Sequence, residues 1–297
     1  MQNKDPVKRK RRASVLMIAF AAVFIIISIS LALYPTISQL INRISNRNRN
    51  AAYSAAVNTL SEKEKAEILD NATQYNIALG NPINSESKLS YKDTEDYTSV
   101  LNFSDGQMGS VLIPTIDVNL PIYHGTGEDK LSMGAVHLPN SSLPVGGIGT
   151  HCCISAHTAY PGKIFFDNIN KLEKGDCFYI QILDEIHTYK ITEKNIVDPN
   201  DSGLLQIDYD KDLVTLITCY PYAVNSHRLL VTGERIESDK EVTIEDIQTD
   251  HQPYREEKIL LAIGGVAVLI ILIATTILIL KKRTRKKHVQ QEQQSIS

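Results

Sequence analysis

The 297 residues carry 31 Lys and Arg against 34 Asp and Glu, with 43% hydrophobic side chains, four Cys and no Trp. Those values exclude a collagen-like or wholly disordered chain and a disulfide-dense mini-scaffold. The net charge of −3 is unevenly spread: residues 1–12 and 281–297 each carry a surplus of five positive charges, which leaves −13 for the residues between them.

Residues 13–34 and 259–280 contain no charged side chain. As helices such stretches extend about 33 Å, the thickness of a bilayer core, and a helix satisfies its own backbone hydrogen bonds there. The basic run KRKRR precedes the first stretch and KKRTRKK follows the second. The positive-inside bias therefore predicts two transmembrane helices, cytoplasmic basic tails at 1–12 and 281–297, and an extracellular portion between the spans in the cell membrane. A cleaved signal peptide is the alternative for the first stretch. The long apolar centre and the lack of an A-x-A site favour an uncleaved anchor. The basic tails read as topology determinants with affinity for anionic membrane lipid, and no nucleic-acid partner is expected.

Residues 35–108 form an N-terminal segment ahead of the catalytic region. Within it, 36–79 lack Gly, and Ala56, Leu60, Ile68 and Leu69 suit one helix or two. Residues 80–108 read as a polar surface segment around a short helix. From residue 109 to 236 the chain breaks into short runs rich in β-branched residues: GSVLIPTI, VNLPIYHG, HCCISAH, DCFYIQIL, IHTYKITEKNIV, LVTLITC and RLLVTGERI. Gly, Pro, Asn and Asp separate them at intervals too short for crossover helices, which favours an antiparallel β-barrel. Residues 163–172 suit a helical turn or two, and 237–258 a charged extracellular stalk.

Cys219 ends the apolar run LVTLIT, and Pro221 then stops the strand ladder. Nine residues on, Arg228 opens the next strand. If the two strands pair, Cys219 and Arg228 share one barrel rim, and the guanidinium there stabilises negative charge on an attacked carbonyl oxygen. His157 follows the apolar run CCISA and is the best placed of the eight His to act as acid or base.

The segment TLITCYPYAVNSHRLLVTGER, residues 215–235, resembles the active-site signature of the sortases, T-L-x-T-C with an Arg nine residues later. Its form, and the segments GQMGSVLIPTIDVNLPIYHGT, HLPNSSLPVGG and AHTAYPGKIFFDNINKLEKGD upstream, resemble the class C, pilin-polymerising sortases of Gram-positive bacteria. The resemblance implies an eight-stranded sortase β-barrel with N-terminal helices, flanked by the two transmembrane helices. It implies Cys219 as nucleophile on the Thr–Gly bond of an LPXTG-like sorting signal, with a thioacyl intermediate passed to a pilin Lys. His157 is then the general acid and base, and Arg228 the oxyanion and substrate-orienting group. The partners implied are pilin subunits, and the chemistry requires no metal or organic cofactor. Two departures stand out. Family members usually read G-H-R around the histidine, where this chain has Ala156-His157-Thr158. The Asp-Pro-aromatic lid motif of class C enzymes is absent from residues 80–108, so Cys219 is expected to be open.

Other candidates have plainer readings. Cys152, Cys153 and Cys177 read as small buried residues, with a Cys152–Cys177 bridge left open. A metal site from His151, Cys152 and Cys153 is disfavoured because adjacent strand residues face opposite ways. His124 and His137 read as turn or rim residues. Asp198, Asp201, Asp208, Asp210 and Asp212 read as a solvated turn, and Asn225 and Ser226 as shaping the turn before Arg228. Tyr91 and Tyr97 are either exposed or packed over the groove. Competing functions are a sortase that anchors surface proteins to a peptidoglycan amine, a papain-like protease, and a non-catalytic two-span scaffold.

Overall fold

In the computed structural model the described residues are 6–80, 95–237, and residues 264, 265, 267, 268 and 271. Nearly all of the expected second span, the stalk beyond residue 237 and the C-terminal basic tail lie outside them.

Helix α1 (Pro6–Val57) runs for 52 residues, so the expected anchor continues without a break into the segment that follows it. Among the described residues it is the one helix apolar and long enough to cross a membrane. Its apolar half leaves Phe20, Phe24, Leu31 and Tyr34 exposed. Beyond Pro35, where Ile37, Ile41 and Ile44 are still exposed on one side, another side carries a stripe at helical spacing, Asn42, Asn46, Asn50, Tyr53 and Val57, and all five are buried. The stripe works through hydrogen bonds. Gln107 donates to the Asn50 carboxamide oxygen at 3.0 Å, and Asn50 donates to Asn119. The Tyr53 hydroxyl donates to the Met108 carbonyl at 2.8 Å and accepts from the Leu183 amide at 2.7 Å. Arg43 pairs with Asp117 at 2.9 Å.

Helix α2 (Glu62–Gly80) starts with a capping box, in which the Ser61 amide donates to Glu64 at 2.8 Å and the Glu64 amide to Ser61 Oγ at 3.3 Å. Its buried Asn76 clasps the Leu143 backbone from both sides, donating to the carbonyl at 3.1 Å and accepting from the amide at 2.7 Å.

Eight strands follow: β1 (Gln107–Ile113), β2 (Val118–His124), β3 (Ala135–His137), β4 (Thr150–Ser155), β5 (Cys177–Ile182), β6 (Glu185–Val197), β7 (Asp212–Tyr220) and β8 (His227–Ile236). They close into a barrel in the order β1-β2-β3-β4-β7-β8-β6-β5. The expectation of a purely antiparallel barrel is corrected at two seams, since β2 pairs with β3 and β4 pairs with β7 in parallel. At the first seam the one-turn helix α4 (Glu128–Leu131) carries the chain back across the barrel end. At the second, the β5–β6 hairpin and the loop after it intervene in sequence between the paired strands. Val111, Ile154, Phe178, Ile180, Tyr189, Leu216 and Val231 fill the interior. Gly233 is where strand β8 crosses Phe178; a Cβ there would lie 2.6 Å from the ring, so any side chain would push the two strands apart.

The short helix α3 (Glu95–Ser99) carries Tyr97, which is fully buried, not exposed. His124 and His137 are the last residues of β2 and β3, at the strand ends, but they are buried, and they pair in register across the β2–β3 seam. Tyr97 Oη lies 2.8 Å from His137 Nδ1, and His137 Nε2 lies 2.9 Å from the Ser142 carbonyl. That pairing satisfies the neutral ring with its proton on Nε2, which donates to Ser142 while Nδ1 accepts from tyrosine. Burial accordingly holds His137 down at about 4, and it lowers His124, His151 and His187 in the same direction.

Two outcomes follow from this packing. Tyr53→Phe, which orphans a buried amide and a buried carbonyl, is expected to cost about 1–3 kcal/mol by denaturant unfolding. The folded chain excludes a proton from His137 that the unfolded chain binds, so stability rises with pH from about 4 to about 6.5 and is complete above that. The His137 contribution is on the order of 3 kcal/mol, read as the part of the stability difference between pH 4 and pH 7 that is lost in His137→Gln.

Candidate active site

Three adjacent strands position the three residues singled out by sequence, Cys219 on β7, Arg228 on β8 and His157 just past the end of β4. Strand β4 runs parallel to β7 with Ser155 opposite Ile217, and β8 runs antiparallel to β7 with Arg228 opposite Cys219. His157 and Cys219 each stand two residues beyond the Ser155–Ile217 pair, at the same end of the barrel. The seam holds just before that point: the Ala156 amide donates to the Ile217 carbonyl at 3.1 Å, and Thr218 Oγ donates to the Ala156 carbonyl at 2.8 Å. Cys219, His157 and Arg228 are all partly exposed, so reagents and substrate have access to them.

The loops flanking these residues are held in backbone conformations that ordinary side chains avoid. Ala159, two residues after His157, has φ 57°, and Ala223, four residues after Cys219, has φ 60°. The Asp167 carboxylate spans the first loop, accepting from the Ala159 and Phe165 amides at 2.9 Å each. In the second loop Asn225 sits at φ 61°, a conformation asparagine tolerates, and its carbonyl accepts from the Arg228 guanidinium at 3.3 Å. The same guanidinium donates to the His227 carbonyl at 3.0 Å, and Ser226 Oγ lies 2.8 Å from His227 Nδ1.

The His157 ring lies 5.1 Å from that of Tyr160, and its Nε2 is approached by the Glu128 carboxylate of α4 at 3.4 Å. Helix α1 reaches the same loop, where Ser38 Oγ donates to the Gly162 carbonyl at 2.6 Å. Between them opens a cavity of about 610 Å³, walled by Tyr34, Pro35 and Gln39 of α1, by Ala159 and Tyr160 after His157, and by Tyr222 after Cys219. Neither Asp167 nor Glu128 was singled out by sequence. Asp167 follows Phe165-Phe166 and reads as a surface turn residue, and Glu128 is far from His157 along the chain, so no local pattern marks either.

The remaining candidates sort by burial. All four Cys are free, which settles against a Cys152–Cys177 bridge. Cys152 and Cys153 are buried, and burial pushes the Cys153 thiol up to about 12 and Cys152 upward as well; Cys177 is partly exposed, its thiol also raised by burial. His151 is tied to the Gln206 carbonyl at 2.8 Å and to Thr215 Oγ at 2.7 Å, and among the described residues no His, Cys, Asp and Glu group has the arrangement of a metal site. The reading of the acidic cluster as a solvated turn fails for Asp212. That residue is buried, with hydrogen bonds from the Gly147 amide at 2.7 Å and Tyr189 Oη at 3.1 Å and with Arg235 at 3.6 Å. Of the segment 80–108, expected to lack a conventional lid, residues 81–94 with Tyr91 lie outside the described residues. The part that is described docks through Tyr97 against His124 and His137.

Residues 111–236 match the Sortase domain. Sortase C1 of Streptococcus agalactiae superposes with a TM-score of 0.59 at 37% identity, over 65% of this chain and 100% of that one. Sortase C of Clostridium perfringens, solved with the C-terminal cell wall sorting motif, superposes with a TM-score of 0.58 at 36% identity, over 64% of this chain and 99% of that one. Sortase A of Listeria monocytogenes is 31% identical over 46% of this chain and 60% of its own length. The chain thus spans less than two thirds of that curated relative while covering the two solved ones almost completely. It belongs to the sortase family.

A thiol-specific reagent added to the folded chain is expected to modify Cys219 first, with Cys152 and Cys153 protected until unfolding, as read by mass spectrometry of tryptic peptides. Deleting residues 81–93, which spares Tyr97, is expected to leave the Cys219 rate unchanged if the site is open; a marked acceleration would mean that a lid covers it.

Proposed function

We propose that the chain is a membrane-anchored cysteine transpeptidase of the class C, pilin-polymerising kind. The observation that carries the reading is the register that sets Cys219 opposite Arg228 on β8 and level with His157 at the end of β4. Cys219 Sγ attacks the threonine carbonyl carbon of the Thr–Gly bond in an LPXTG-like signal. The Arg228 guanidinium offsets the charge gathering on the carbonyl oxygen. As the C–N bond breaks, His157 gives its proton to the departing glycine amine, leaving a thioester on Cys219. An incoming lysine amine of a second pilin then loses its proton to His157 and takes the acyl group, which releases the Cys219 thiolate beside protonated His157, as at the start, and joins the subunits by an isopeptide bond. Both termini are cytoplasmic in this reading, with a second span over 259–280.

The kinship with solved class C sortases supports the pilin acceptor, and the sorting motif in the Clostridium structure supports the donor. The likeness to a curated sortase A keeps a second reading, in which the acceptor is a peptidoglycan amine and the product an anchored surface protein. Incubating the full chain in detergent with an LPXTG-bearing pilin separates them. The pilin reading expects SDS-resistant ladders, and the anchoring reading expects transfer to a peptidoglycan stem-peptide amine without ladders.

Cys219→Ala is expected to abolish the thioacyl adduct. His157→Ala is expected to lower turnover by roughly 10²–10⁴-fold, and Arg228→Lys by roughly 10²-fold, since a lysine lacks the planar fork. Ladders that persist in Cys219→Ala or His157→Ala would refute the assignment.

A further inference from the structure

His157 Nε2 is shielded from solvent and forms no well-aligned hydrogen bond among the described residues, although the ring as a whole is 27% exposed. What faces it is a carboxylate: Glu128 Oε2 stands 3.4 Å away, close enough for charge attraction and slightly off the direction of a good hydrogen bond. Glu128 is the first residue of α4, the single turn that carries the chain between the parallel strands β2 and β3. That turn is fixed in place from several sides. The Leu131 amide closes it on the Gly127 carbonyl at 2.9 Å. Lys130 donates to the Asp105 carbonyl, and its ammonium lies 5.5 Å from the centre of the Tyr123 ring. At its far end the Ser132 carbonyl accepts from Lys163, which belongs to the same loop as His157 and lies over Tyr160 and Phe165. The turn and the His157 loop are therefore stitched together at both ends, by Glu128–His157 and by Ser132–Lys163.

We propose that Glu128 is a positioning residue for His157, an exposed carboxylate that orients the imidazole for proton delivery during acyl transfer. This rests on the reading of His157 as the acid and base of the site. A carboxylate against one ring nitrogen restricts the ring's rotation, which helps a group that must deliver a proton to a departing amine. Because the side chain of Glu128 is 71% exposed, water screens the pair and its effect is modest compared with the loss of His157 itself.

The test uses the full chain in detergent, a synthetic peptide carrying an LPXTG motif, and nitrogen-15-labelled histidine. In Glu128→Gln, which keeps size and removes charge, kcat is expected to fall roughly three- to tenfold while KM for the peptide stays within about twofold, with part of the loss restored in Glu128→Asp. The ring-nitrogen signals of His157 are expected to move in Glu128→Gln at constant pH. Unchanged kcat, a change confined to KM, a faster Glu128→Gln enzyme, or a Glu128→Asp variant no better than Glu128→Gln would overturn the proposal. Unmoved ring signals would overturn it independently of turnover. If the wild-type chain transfers no acyl group, the reading of the site fails, and the ring signals still show whether Glu128 holds His157.

Discussion

The candidate site depends on one seam in the barrel, the parallel pairing of β4 with β7. Parallel neighbours end at the same edge of a sheet, so the residues that leave the ends of β4 and β7 leave together. An antiparallel partner for β4 would have sent His157 to the opposite end of the barrel from Cys219. The sequence-distant contacts at the seam, Thr218 to Ala156 and Ala156 to Ile217, set the level at which the two chains separate. Arg228 needs no such arrangement, because β7 and β8 are joined by a short turn and an antiparallel hairpin places its ends side by side.

Around that seam the protein spends polar groups where a simpler fold would spend apolar ones. Helix α1 docks on the barrel with three asparagines and a tyrosine, α2 clasps Leu143 with Asn76, and α3 enters with Tyr97 against two histidines. Buried polar groups are costly unless paired, so each such contact tolerates few alternative geometries and specifies one docking arrangement. The same economy appears at the loops of the site, where Asp167 holds the turn after His157 and Arg228 closes on the carbonyl of Asn225.

Much of this was legible before any coordinates. Seven of the eight strands appear in the sequence as short β-branched runs, and Cys219 with Arg228 follows from a hairpin that a nine-residue spacing allows. Strand β3 escaped because Ala135–His137 is three residues long, too short for any alternation to show. The stripe on α1 escaped because its period is written in asparagine, and a search for apolar periodicity passes over Asn42, Asn46 and Asn50. The buried states of His124, His137 and Asp212 escaped for a related reason, since burial of a polar side chain depends on partners that are far apart in sequence. Glu128 near His157 is the same lesson at the site: 29 positions separate them along the chain, and the closure of α4 over the barrel end brings them together.

The unbroken course of α1 has a mechanical consequence. Ser38, which holds the Gly162 carbonyl beside His157, stands four residues past the end of the apolar stretch at Tyr34, about 6 Å further along a helix. With the expected span at 13–34, a barrel gripped that near the anchor cannot swing outward on a flexible tether. In the proposed reading it would work at a fixed height above the lipid surface, so that reach, as much as chemistry, would select what it processes. A scissile bond presented far from the bilayer would stay out of range however well its residues matched the groove.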